Sequence, residues 1–458
     1  MNPTSFVFTA IWLAGLAVLP GAEPAVPDRL PVPTPVQRGW QEAELGVLIS
    51  YDPRVFHDGN PSLQAACRTP MKDPDAYARE FNPARLDTDQ WVETARDMGA
   101  KFAILVVKHE TGFCLWQSDA NPYCLKHIKW RDGQGDILRD FVASCHKFGL
   151  KPGVFTEARW DLRLGVHDFE IATNSPVTLA EYNRMVEREV EELCTRYGDL
   201  FEIWFDGGVH TPAQSGPDVL PIAGKSQPGM VFYHSDQRRD VRWGGTESGT
   251  VPYPCWATVP WNVKHGDQYA RQGDAGGQRW QPAMSDAPLR CDNHLKNWFW
   301  KAGGEPGIAS LSHLQAMYYG SVGRNSTLII GLTPDSDGLM PKADVARCRE
   351  FGAWREKTFG AKPLAETSGS RAELTLELPA TNPIPVTHIL LQEDIRHGER
   401  VRQYVVEAQA DGTWQPVCAG SCIGQKRIER IPPNAARKFR LRVTQSVGEP
   451  EISSFRLM

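Results

Sequence analysis

The sequence has 458 residues, which is longer than one average domain and favours two domains. Hydrophobic residues make up 41% and charged residues 23%, the balance of an ordinary globular protein with a large core. The net charge is -5, and no block of Lys and Arg is present, which argues against nucleic acid as a partner.

The N-terminal segment has features of an export signal. Residues 1–22 contain no charged side chain, and residues 6–19 form an apolar run too short to span a bilayer. We therefore predict that residues 1–22 are a cleaved signal peptide and that the protein is secreted or periplasmic. A Pro-rich leader follows over residues 23–37. No later segment is apolar enough to predict membrane insertion.

Short apolar runs alternate with helical patterns over the next 300 residues or so. The predicted strands lie at residues 45–50, 102–107, 151–156 and 200–206. The predicted helices lie at residues 89–98, 136–148 and 179–197. This alternation indicates a parallel sheet, which either a barrel or a doubly wound sheet satisfies. Because no phosphate-type Gly-rich turn follows the early strands, we predict an α/β protein with a (β/α) TIM-like barrel over residues 38–360.

The period of the apolar residues changes to two after residue 360. The predicted strands lie at residues 373–378, 387–392, 404–408 and 439–444, with turn residues between them. This pattern predicts a small β-sandwich accessory domain over residues 366–458.

The fourth predicted barrel strand ends in an acid, within the sequence LFEIWFDGG at residues 200–208. With the strand period of two, Glu202, Trp204 and Asp206 share the face that points into the barrel. Barrel enzymes place their chemistry at the carboxyl ends of the strands, where Asp206 lies. An Asp before Gly is often only a turn cap, but the aromatic neighbours of Asp206 favour a catalytic role.

Two other strand ends carry polar and aromatic residues. His109, Glu110 and Trp116 follow the second strand, and Trp160 follows the third. A lone His at such a place is usually structural, whereas this combination predicts a polar cavity with an aromatic wall. Tryptophan faces serve both as sugar platforms and as core filling. The predicted sugar contacts are His109, Glu110, Trp116, Trp160, Trp204, Arg242 and Trp298.

A second carboxyl group is needed if Asp206 takes part in retaining glycoside hydrolysis, because that reaction uses two carboxyls roughly 5–5.5 Å apart. Glu247 is the best candidate, since it lies in a Gly-rich loop with Arg242 and Trp243 close by in sequence. The alternative for such a loop is an ordinary surface turn.

The ten cysteines form no C-x-x-C pair and show no zinc-type spacing with histidine, so we predict no zinc site. Because two carboxyls supply both the nucleophile and the proton in retaining glycoside hydrolysis, we predict no metal and no cofactor. Cys418 and Cys422 are close enough in sequence to be candidates for a disulfide in an exported protein. Spacing alone does not decide the pairing.

Taken together, these segments resemble the α-L-fucosidases of glycoside hydrolase family 29. WFDGG at residues 204–208 is similar to the family's nucleophile motif, and KHETGFCLW at residues 108–116 is similar to its KHHDGF-x-LW strand end. Residues 319–332 and 334–354 resemble the family's last strand and closing helix. The resemblance implies a barrel with a trailing sandwich, a glycan or oligosaccharide substrate and no metal.

The resemblance also implies catalytic roles, with Asp206 as nucleophile and Glu247 as general acid and then base. The spacing from Arg242 to Glu247 is similar to the RW-x-G-N-E motif of the branch that prefers α-1,3/1,4-linked fucose. Three positions depart from the family: Ser50 replaces a His, Glu110 replaces a second His, and Met284 replaces an acid. These departures imply an altered preference for the terminal sugar.

Three hypotheses from different classes follow from these observations. The first is a retaining exo-glycosidase that removes terminal α-L-fucosyl or closely related residues through a covalent glycosyl-Asp intermediate. The second is a catalytically inactive carbohydrate-binding protein on the same fold. The third is a structural or adhesion protein in which the sandwich holds glycans.

Overall fold

The structure is a computed structural model that describes residues 30–57, 63–235, 237–263, 268–294, 296–379 and 384–458. The predicted signal peptide and residues 23–29 of the Pro-rich leader lie outside these residues. None of the helices in the described ranges is long and apolar enough to cross a bilayer.

Eight parallel strands form a nearly closed barrel. They are β1 (Leu45–Ile49), β2 (Phe102–Val106), β3 (Lys151–Thr156), β4 (Glu202–Phe205), β5 (Val231–Tyr233), β6 (Arg242–Trp243), β7 (Ala283–Pro288) and β8 (Ser326–Leu332). The spatial order is β5-β4-β3-β2-β1-β8-β7-β6, so neighbours in the chain are neighbours in space all the way round. The prediction of a barrel rather than a doubly wound sheet is confirmed.

Helices lie before, between and after the barrel strands along the chain. They are α1 (Pro35–Ala43), α2 (Pro74–Arg79), α3 (Thr88–Met98), α4 (Ile137–Phe148), α5 (Leu179–Arg196), α6 (Leu220–Ser226), α7 (Gln268–Gln272), α8 (Leu311–Gly320) and α9 (Lys342–Arg355). Short 3₁₀ turns occupy Pro53–Phe56, Gln64–Arg68, Leu125–His127, Trp130–Gly133, Pro212–Gln214, Glu305–Gly307 and Ile395–His397. Because helices pack on their outer side, β1 and β2 are buried at every residue, which explains their continuous apolar runs.

Local sequence signals set the ends of the two helices that follow β1 and β2. The carboxylates of Asp87 and Asp136 accept hydrogen bonds from backbone N–H groups in the first turns of α3 and α4. Gly99 and Gly149 end the same helices in the left-handed conformation, which glycine adopts at little cost. These caps direct the chain back into the next barrel strand.

The barrel has a seam between β5 and β6, which lie at the two ends of the strand order. Side chains bridge it in place of a strand ladder. Asp240 Oδ2 accepts a hydrogen bond from the backbone N–H of Phe232 at 2.8 Å. Gln37 of α1 donates to the carbonyls of Asp240 at 2.7 Å and Trp280 at 3.0 Å. The strand β6 pairs with β7 through only Arg242 and Trp243.

The C-terminal region is a sandwich of two antiparallel sheets. Its strands are β9 (Ala365–Gly369), β10 (Glu373–Glu377), β11 (Val386–Glu393), β12 (Val401–Ala410), β13 (Thr413–Gly420), β14 (Arg427–Asn434), β15 (Lys438–Ser446) and β16 (Ile452–Leu457). The sheet orders are β9-β16-β11-β14 and β10-β15-β12-β13. In β10 only Leu374 and Leu376 are buried, which is the alternation that the period of two predicted.

One buried carboxylate, Glu399, ties the sandwich to the barrel, and a second, Glu393, stabilises the sandwich itself. Both oxygens of Glu399 accept from the backbone N–H of Ala257, at 3.1 and 2.9 Å, and Asn325 also donates to Glu399. Glu393, in the sandwich, accepts three backbone N–H bonds at 2.8 to 2.9 Å. These two acids are therefore fully engaged in holding the fold.

The thiols of all ten cysteines are free. This corrects the expectation that Cys418 and Cys422 are candidates for a pair. The Cys422 thiol donates instead to the carbonyl oxygen of Cys255 at 3.3 Å, across the contact between the sandwich and the barrel.

Candidate active site

Two cavities open where the carboxyl ends of the barrel strands meet. The His109 cavity has a volume of about 400 Å³, and the His210 cavity has a volume of about 530 Å³. Four side chains line both cavities: Trp204, Asp206, Glu247 and Asp286. Further walls of the His109 cavity are Ser50, Arg54, His109, Glu110, Phe155, Trp298 and Phe299. The His210 cavity continues along Arg159, Asp168, Phe169, His210, His234 and Arg239.

The strand β4 supplies two of the four shared side chains. Trp204 packs against Phe155 of β3 and Tyr233 of β5, with ring centroids 5.3 and 4.9 Å apart. Glu202 lies buried deeper in the barrel and accepts a hydrogen bond from the Trp40 indole at 2.9 Å. Burial raises the pKa of Glu202 to about 8. The strand period predicted that Glu202, Trp204 and Asp206 point into the barrel. In the structure Trp204 and Asp206 line the cavities, and Glu202 lies beneath them.

Asp206 lies at the junction of the two cavities with 29% of its side chain exposed. Burial and the nearby charge of Glu110 raise its pKa to about 7, against the partial opposition of the Gly207 backbone N–H. Gly207 turns the chain away with a φ of +57°, and a Cβ there would lie 2.7 Å from Arg159. This glycine lets the chain leave the strand without closing the cavity.

His109 faces Asp206 across the His109 cavity, with its Nε2 at 3.9 Å from Asp206 Oδ2. Its Nδ1 lies 3.1 Å from Arg54 Nη2. A guanidinium only donates, so Nδ1 is the acceptor and Nε2 carries the proton. Burial, followed by the charge of Arg54, lowers the pKa of His109 to about 3. A neutral imidazole therefore presents an N–H donor to the cavity at physiological pH.

Arg54 is a site residue that the sequence reasoning missed. It follows β1, is buried, and donates to Asp52 at 3.3 Å and to Glu110 at 3.1 Å. Its guanidinium lies 4.2 Å from the ring centroid of Phe299. The only sequence signal is its position just beyond the carboxyl end of the first strand, which is where barrel sites collect their residues.

Glu110 lines the cavity as predicted, and one oxygen of its carboxylate is already engaged. Its Oε2 accepts from Arg54 and also from the backbone N–H of Leu63 at 3.0 Å. Thr111, the next residue, donates to Asp52 at 2.6 Å. Glu110 therefore supports Arg54 through one of its two carboxylate oxygens, Oε2.

Glu247 reaches the shared wall from the loop after β6. Trp298 donates to its Oε1 at 3.2 Å, and Lys296 Nζ lies 3.6 Å from its Oε2. The side chain is 40% exposed, and its backbone has a φ of +53°. A left-handed Glu is costly, and such strain is concentrated at functional sites.

Asp286 is a third carboxyl in the same wall, contributed by β7. The Trp243 indole donates to its Oδ1 at 2.8 Å. Burial raises the pKa of Asp286 to about 7, and the charges of Glu247 and Asp206 act in the same direction. The distance of Asp286 in sequence from Asp206 gave no sign that the two share a wall.

Three of the side chains predicted to contact sugar bind or pack against other parts of the protein in the structure. Trp116 is 0% exposed, donates to Glu192 at 2.9 Å and lies outside both cavity walls. Trp160 packs with Cys67 and Leu162 in a separate cluster. Arg242 lies in the wall of the His210 cavity, but its guanidinium donates to backbone carbonyl oxygens, as at Ala270 and Trp256. These side chains hold the fold around the site.

The other predicted contacts lie on the cavity walls. His109, Trp204 and Trp298 line the His109 cavity together with the two proposed catalytic carboxyls. Their contact with a sugar stays a prediction. Two groups with possible metal-ligand atoms, Cys291–Asp292–His313 and Asp394–His397–Glu451, lie away from both cavities.

Sequence comparison shows similarity between this chain and proteins of one family. The sequence model of the family described as "Alpha-L-fucosidase" matches residues 70–358. "Alpha-L-fucosidase 1" of Arabidopsis thaliana is 28% identical over 93% of this chain and 87% of its own length. "Putative alpha-L-fucosidase 1" of Oryza sativa subsp. japonica is 30% identical over 93% of this chain and 84% of its own length.

Solved structures share the complete architecture. A crystal structure from Bacteroides thetaiotaomicron, described as a candidate α-L-fucosidase, superposes with a TM-score of 0.89 at 46% identity, covering 94% of this chain and 99% of that one. A glycoside hydrolase 29 family member from a rumen bacterium gives a TM-score of 0.80 at 29% identity, covering 94% of this chain and 77% of that one. The chain is a glycoside hydrolase and belongs to the α-L-fucosidase family, glycoside hydrolase family 29.

Proposed function

We propose that the protein is a retaining exo-α-L-fucosidase in which Asp206 is the nucleophile and Glu247 is the general acid and base. The observation that carries the proposal is that both carboxyls lie in one wall, at the junction of the two cavities. They come from β4 and from the loop after β6, which are two strands apart around the barrel mouth.

In the first step, Asp206 attacks the anomeric carbon of the fucosyl residue while the bond to the leaving oxygen breaks. Glu247 gives its proton to that oxygen, so the leaving group departs as a neutral alcohol. The product is an ester between the sugar and Asp206. In the second step, Glu247 takes a proton from water, the water oxygen bonds to the anomeric carbon, and the ester bond breaks. Two inversions leave the sugar with its original configuration.

The surroundings of Asp206 suit this role. Its raised pKa reflects a carboxylate that is poorly solvated and close to the charges of Glu110 and Glu247. The transition state carries positive charge on the sugar ring, which relieves that repulsion as it forms. Neutral His109 offers an N–H donor beside Asp206 without lowering the negative charge that the reaction needs.

The linkage and sugar preference form a finer part of the proposal. The position of Glu247 in the loop after β6 supports the branch that prefers α-1,3/1,4-linked fucose. Among the altered positions, Ser50 lines the His109 cavity, and Glu110 accepts a hydrogen bond from Arg54. Met284 is fully buried and lies in neither cavity wall. We therefore expect any change in sugar preference to come from Ser50 and the Arg54–Glu110 pair.

The test is turnover of an aryl α-L-fucoside, with the anomer of released fucose followed by NMR in the first minutes. Retention supports the two-step route, and initial release of the β-anomer contradicts it. A 2-deoxy-2-fluoro-fucosyl fluoride should trap the ester, and mass spectrometry should place the label on Asp206. Absence of turnover, together with fucose binding, would favour an inactive sugar-binding protein instead.

We also propose that residues 1–22 are a signal peptide and that the protein acts outside the cytoplasm. The uncharged apolar segment supports this proposal. N-terminal sequencing of protein purified from its native host should find a chain that begins near Glu23 or Val26. Finding Met1 intact on that protein would contradict export.

A further inference from the structure

The loop after β6 connects the barrel mouth to the sandwich, and we call residues 244–257 the Glu247 loop. It begins after a strand of two residues and ends at Ala257, whose backbone N–H donates to Glu399 of the sandwich. Glu247 has a φ of +53°, which is costly for a residue with a side chain. Because the strand before it is so short, contacts further along the loop are needed to hold Glu247 in this conformation.

Tyr253 extends from the Glu247 loop into the sandwich. Its hydroxyl accepts hydrogen bonds from the backbone N–H groups of Ser421 at 2.9 Å and Cys422 at 3.1 Å. The same hydroxyl donates to the carbonyl oxygen of Cys422 at 3.0 Å. All of these partners lie in the connection between β13 and β14. The backbone of the sandwich therefore uses this hydroxyl both as an acceptor and as a donor.

The sandwich also accommodates the ring and the hydroxyl of Tyr253. The guanidinium of Arg427 lies 3.9 Å from the ring centroid and is held by Glu429 at 2.8 Å. Gly420, the last residue of β13, has no side chain at the point where a Cβ would overlap the Tyr253 hydroxyl. This glycine gives the hydroxyl access to the backbone groups that bind it.

The segment between Glu247 and the tyrosine is short and is bonded to the barrel. The tyrosine lies six residues beyond Glu247. Between them, the backbone N–H of Gly249 donates to the carbonyl of Asp286 at 2.8 Å, and that of Val251 donates to the carbonyl of Gly320 at 2.9 Å. These bonds leave little slack in the segment, so a displacement of the tyrosine is passed on to the glutamate.

We propose that Tyr253 is a positioning residue through which the sandwich holds Glu247 in place for proton transfer. This inference rests on the proposed role of Glu247 as general acid and base. Tyr253 lies in neither cavity wall, so it acts through the loop and not on the substrate. Glu399 binds Ala257, beyond Tyr253 and further from Glu247, so its bonds hold the domains together without setting the position of Glu247.

The first test is Tyr253→Phe, which removes the hydroxyl and keeps the ring. We expect kcat/KM for phenyl α-L-fucoside, whose leaving group needs a proton, to fall about tenfold. For 2-chloro-4-nitrophenyl α-L-fucoside, which needs little protonation, we expect a change of less than about twofold. A residue that only stabilises the fold would not produce this difference between leaving groups.

Tyr404→Phe is the matched control, because it removes a neighbouring hydroxyl from the same contact. The Tyr404 hydroxyl donates to Glu429 at 2.7 Å and lies 3.5 Å from the hydroxyl of Tyr253. Its loss should lower the thermal midpoint without any difference between the two substrates. Gly420→Ala is the second variant, since its methyl group displaces the Tyr253 hydroxyl, and it should reproduce the difference between leaving groups.

Hydrogen exchange gives a readout that does not depend on activity. In Tyr253→Phe, the backbone amides of residues 246–251 should exchange at least about fivefold faster than in the wild type. The amides of β4 should keep their rates, and Tyr404→Phe should change neither region.

The outcomes separate this inference from the proposed function. Equal losses on both fucosides, unchanged activity on both, or the same difference between fucosides in Tyr404→Phe would overturn the role of Tyr253. A wild type that cleaves neither fucoside would overturn the proposed function, and hydrogen exchange then tests the anchor alone. Faster exchange confined to residues 246–251 of Tyr253→Phe would support the anchor, and unchanged exchange would contradict it.

Discussion

The barrel mouth and the contact between barrel and sandwich both bury carboxyl groups, but with different partners. Burial raises the pKa of Asp206 and of Glu399 to about 7. Glu399 receives backbone and Asn325 donors, whereas Asp206 faces a cavity and the like charges of Glu110 and Glu247. A raised pKa therefore does not by itself mark a catalytic acid. Glu399 also lies beside a like charge, that of Glu393, so the open cavity face of Asp206 is what distinguishes the proposed catalytic site from the structural one.

The largest expected effect is on Asp206. Replacing it with Asn should lower kcat by at least ~10³-fold, because the covalent route is lost while sugar binding is partly kept. Steady-state kinetics on an aryl fucoside measure this loss. Azide should restore part of the activity of Asp206→Ala and should leave the wild type unchanged. Near-normal turnover by Asp206→Asn would place the nucleophile elsewhere.

The same variant should show a pH-dependent gain in stability. The folded pKa of Asp206, about 7, lies above the ordinary value of 3.8, so the folded state binds this proton more tightly than the unfolded chain. The free energy of unfolding therefore falls as pH rises from about 4 to about 7. Asp206→Asn lacks this loss, and its advantage over the wild type should grow with pH across that window in denaturant melts. A constant difference would contradict the raised pKa.

The second prediction concerns Glu247. Glu247→Ala should lower the rate ~10²–10⁴-fold on substrates with poor leaving groups and far less on activated aryl fucosides. The basic limb of the pH–rate profile should flatten, because the proton donor is gone. Removing a like charge should also move the acidic limb of Asp206 to lower pH. Equal losses on both substrate types would instead favour Asp286 as the acid.

The third prediction concerns Arg54, which we expect to be a positioning residue that acts through His109. Arg54→Met should lower kcat/KM about 10–100-fold, because the imidazole loses the donor that fixes its tautomer. The charges left around the ring are Asp52, Glu110 and Asp206, so the pKa of His109 should rise. Nitrogen-15 shifts of the ring should report both the tautomer and the titration.

A double variant separates this role from a loss of stability. Arg54→Met alone leaves Glu110 buried without its cation, which destabilises the fold. Adding Glu110→Gln removes that charge and should restore much of the thermal midpoint while activity stays low. Recovery of activity together with stability would show that Arg54 acts only through the fold.

The smallest effect on activity is expected at Glu399. Glu399→Gln should lower the free energy of unfolding by about 1–3 kcal/mol, because its amide cannot accept from the Ala257 N–H with both atoms. Turnover should change less than about twofold, a range expected for a residue that only holds the domains together. A large loss of kcat at full stability would mean that the sandwich contact controls the site.

Much of this architecture was predictable because it depends on local patterns. Continuous apolar runs gave the buried barrel strands, and the period of two placed Trp204 and Asp206 on the cavity. Arg54 was not predictable, since its partners His109 and Glu110 lie 55 and 56 residues away in sequence. The complete burial of Trp116 was not predictable for the same reason. From the sequence alone, a tryptophan that follows a strand is compatible with a core position and with a cavity wall. The hydrogen-bond partner that identifies the core position of Trp116 is Glu192, which lies 76 residues further along the chain.

The seam between β5 and β6 has a consequence for how the enzyme loses activity on heating. Glu247 lies in the loop after β6, a strand of only two residues. Asp206 directly follows β4, which is hydrogen-bonded to a neighbouring strand on each side. Segments with few ladder bonds open before the rest of the fold. Amide hydrogens near residue 247 should therefore exchange faster than those of β4. Proton transfer should fail at a lower temperature than the barrel itself, so inactivation and unfolding should have separate midpoints.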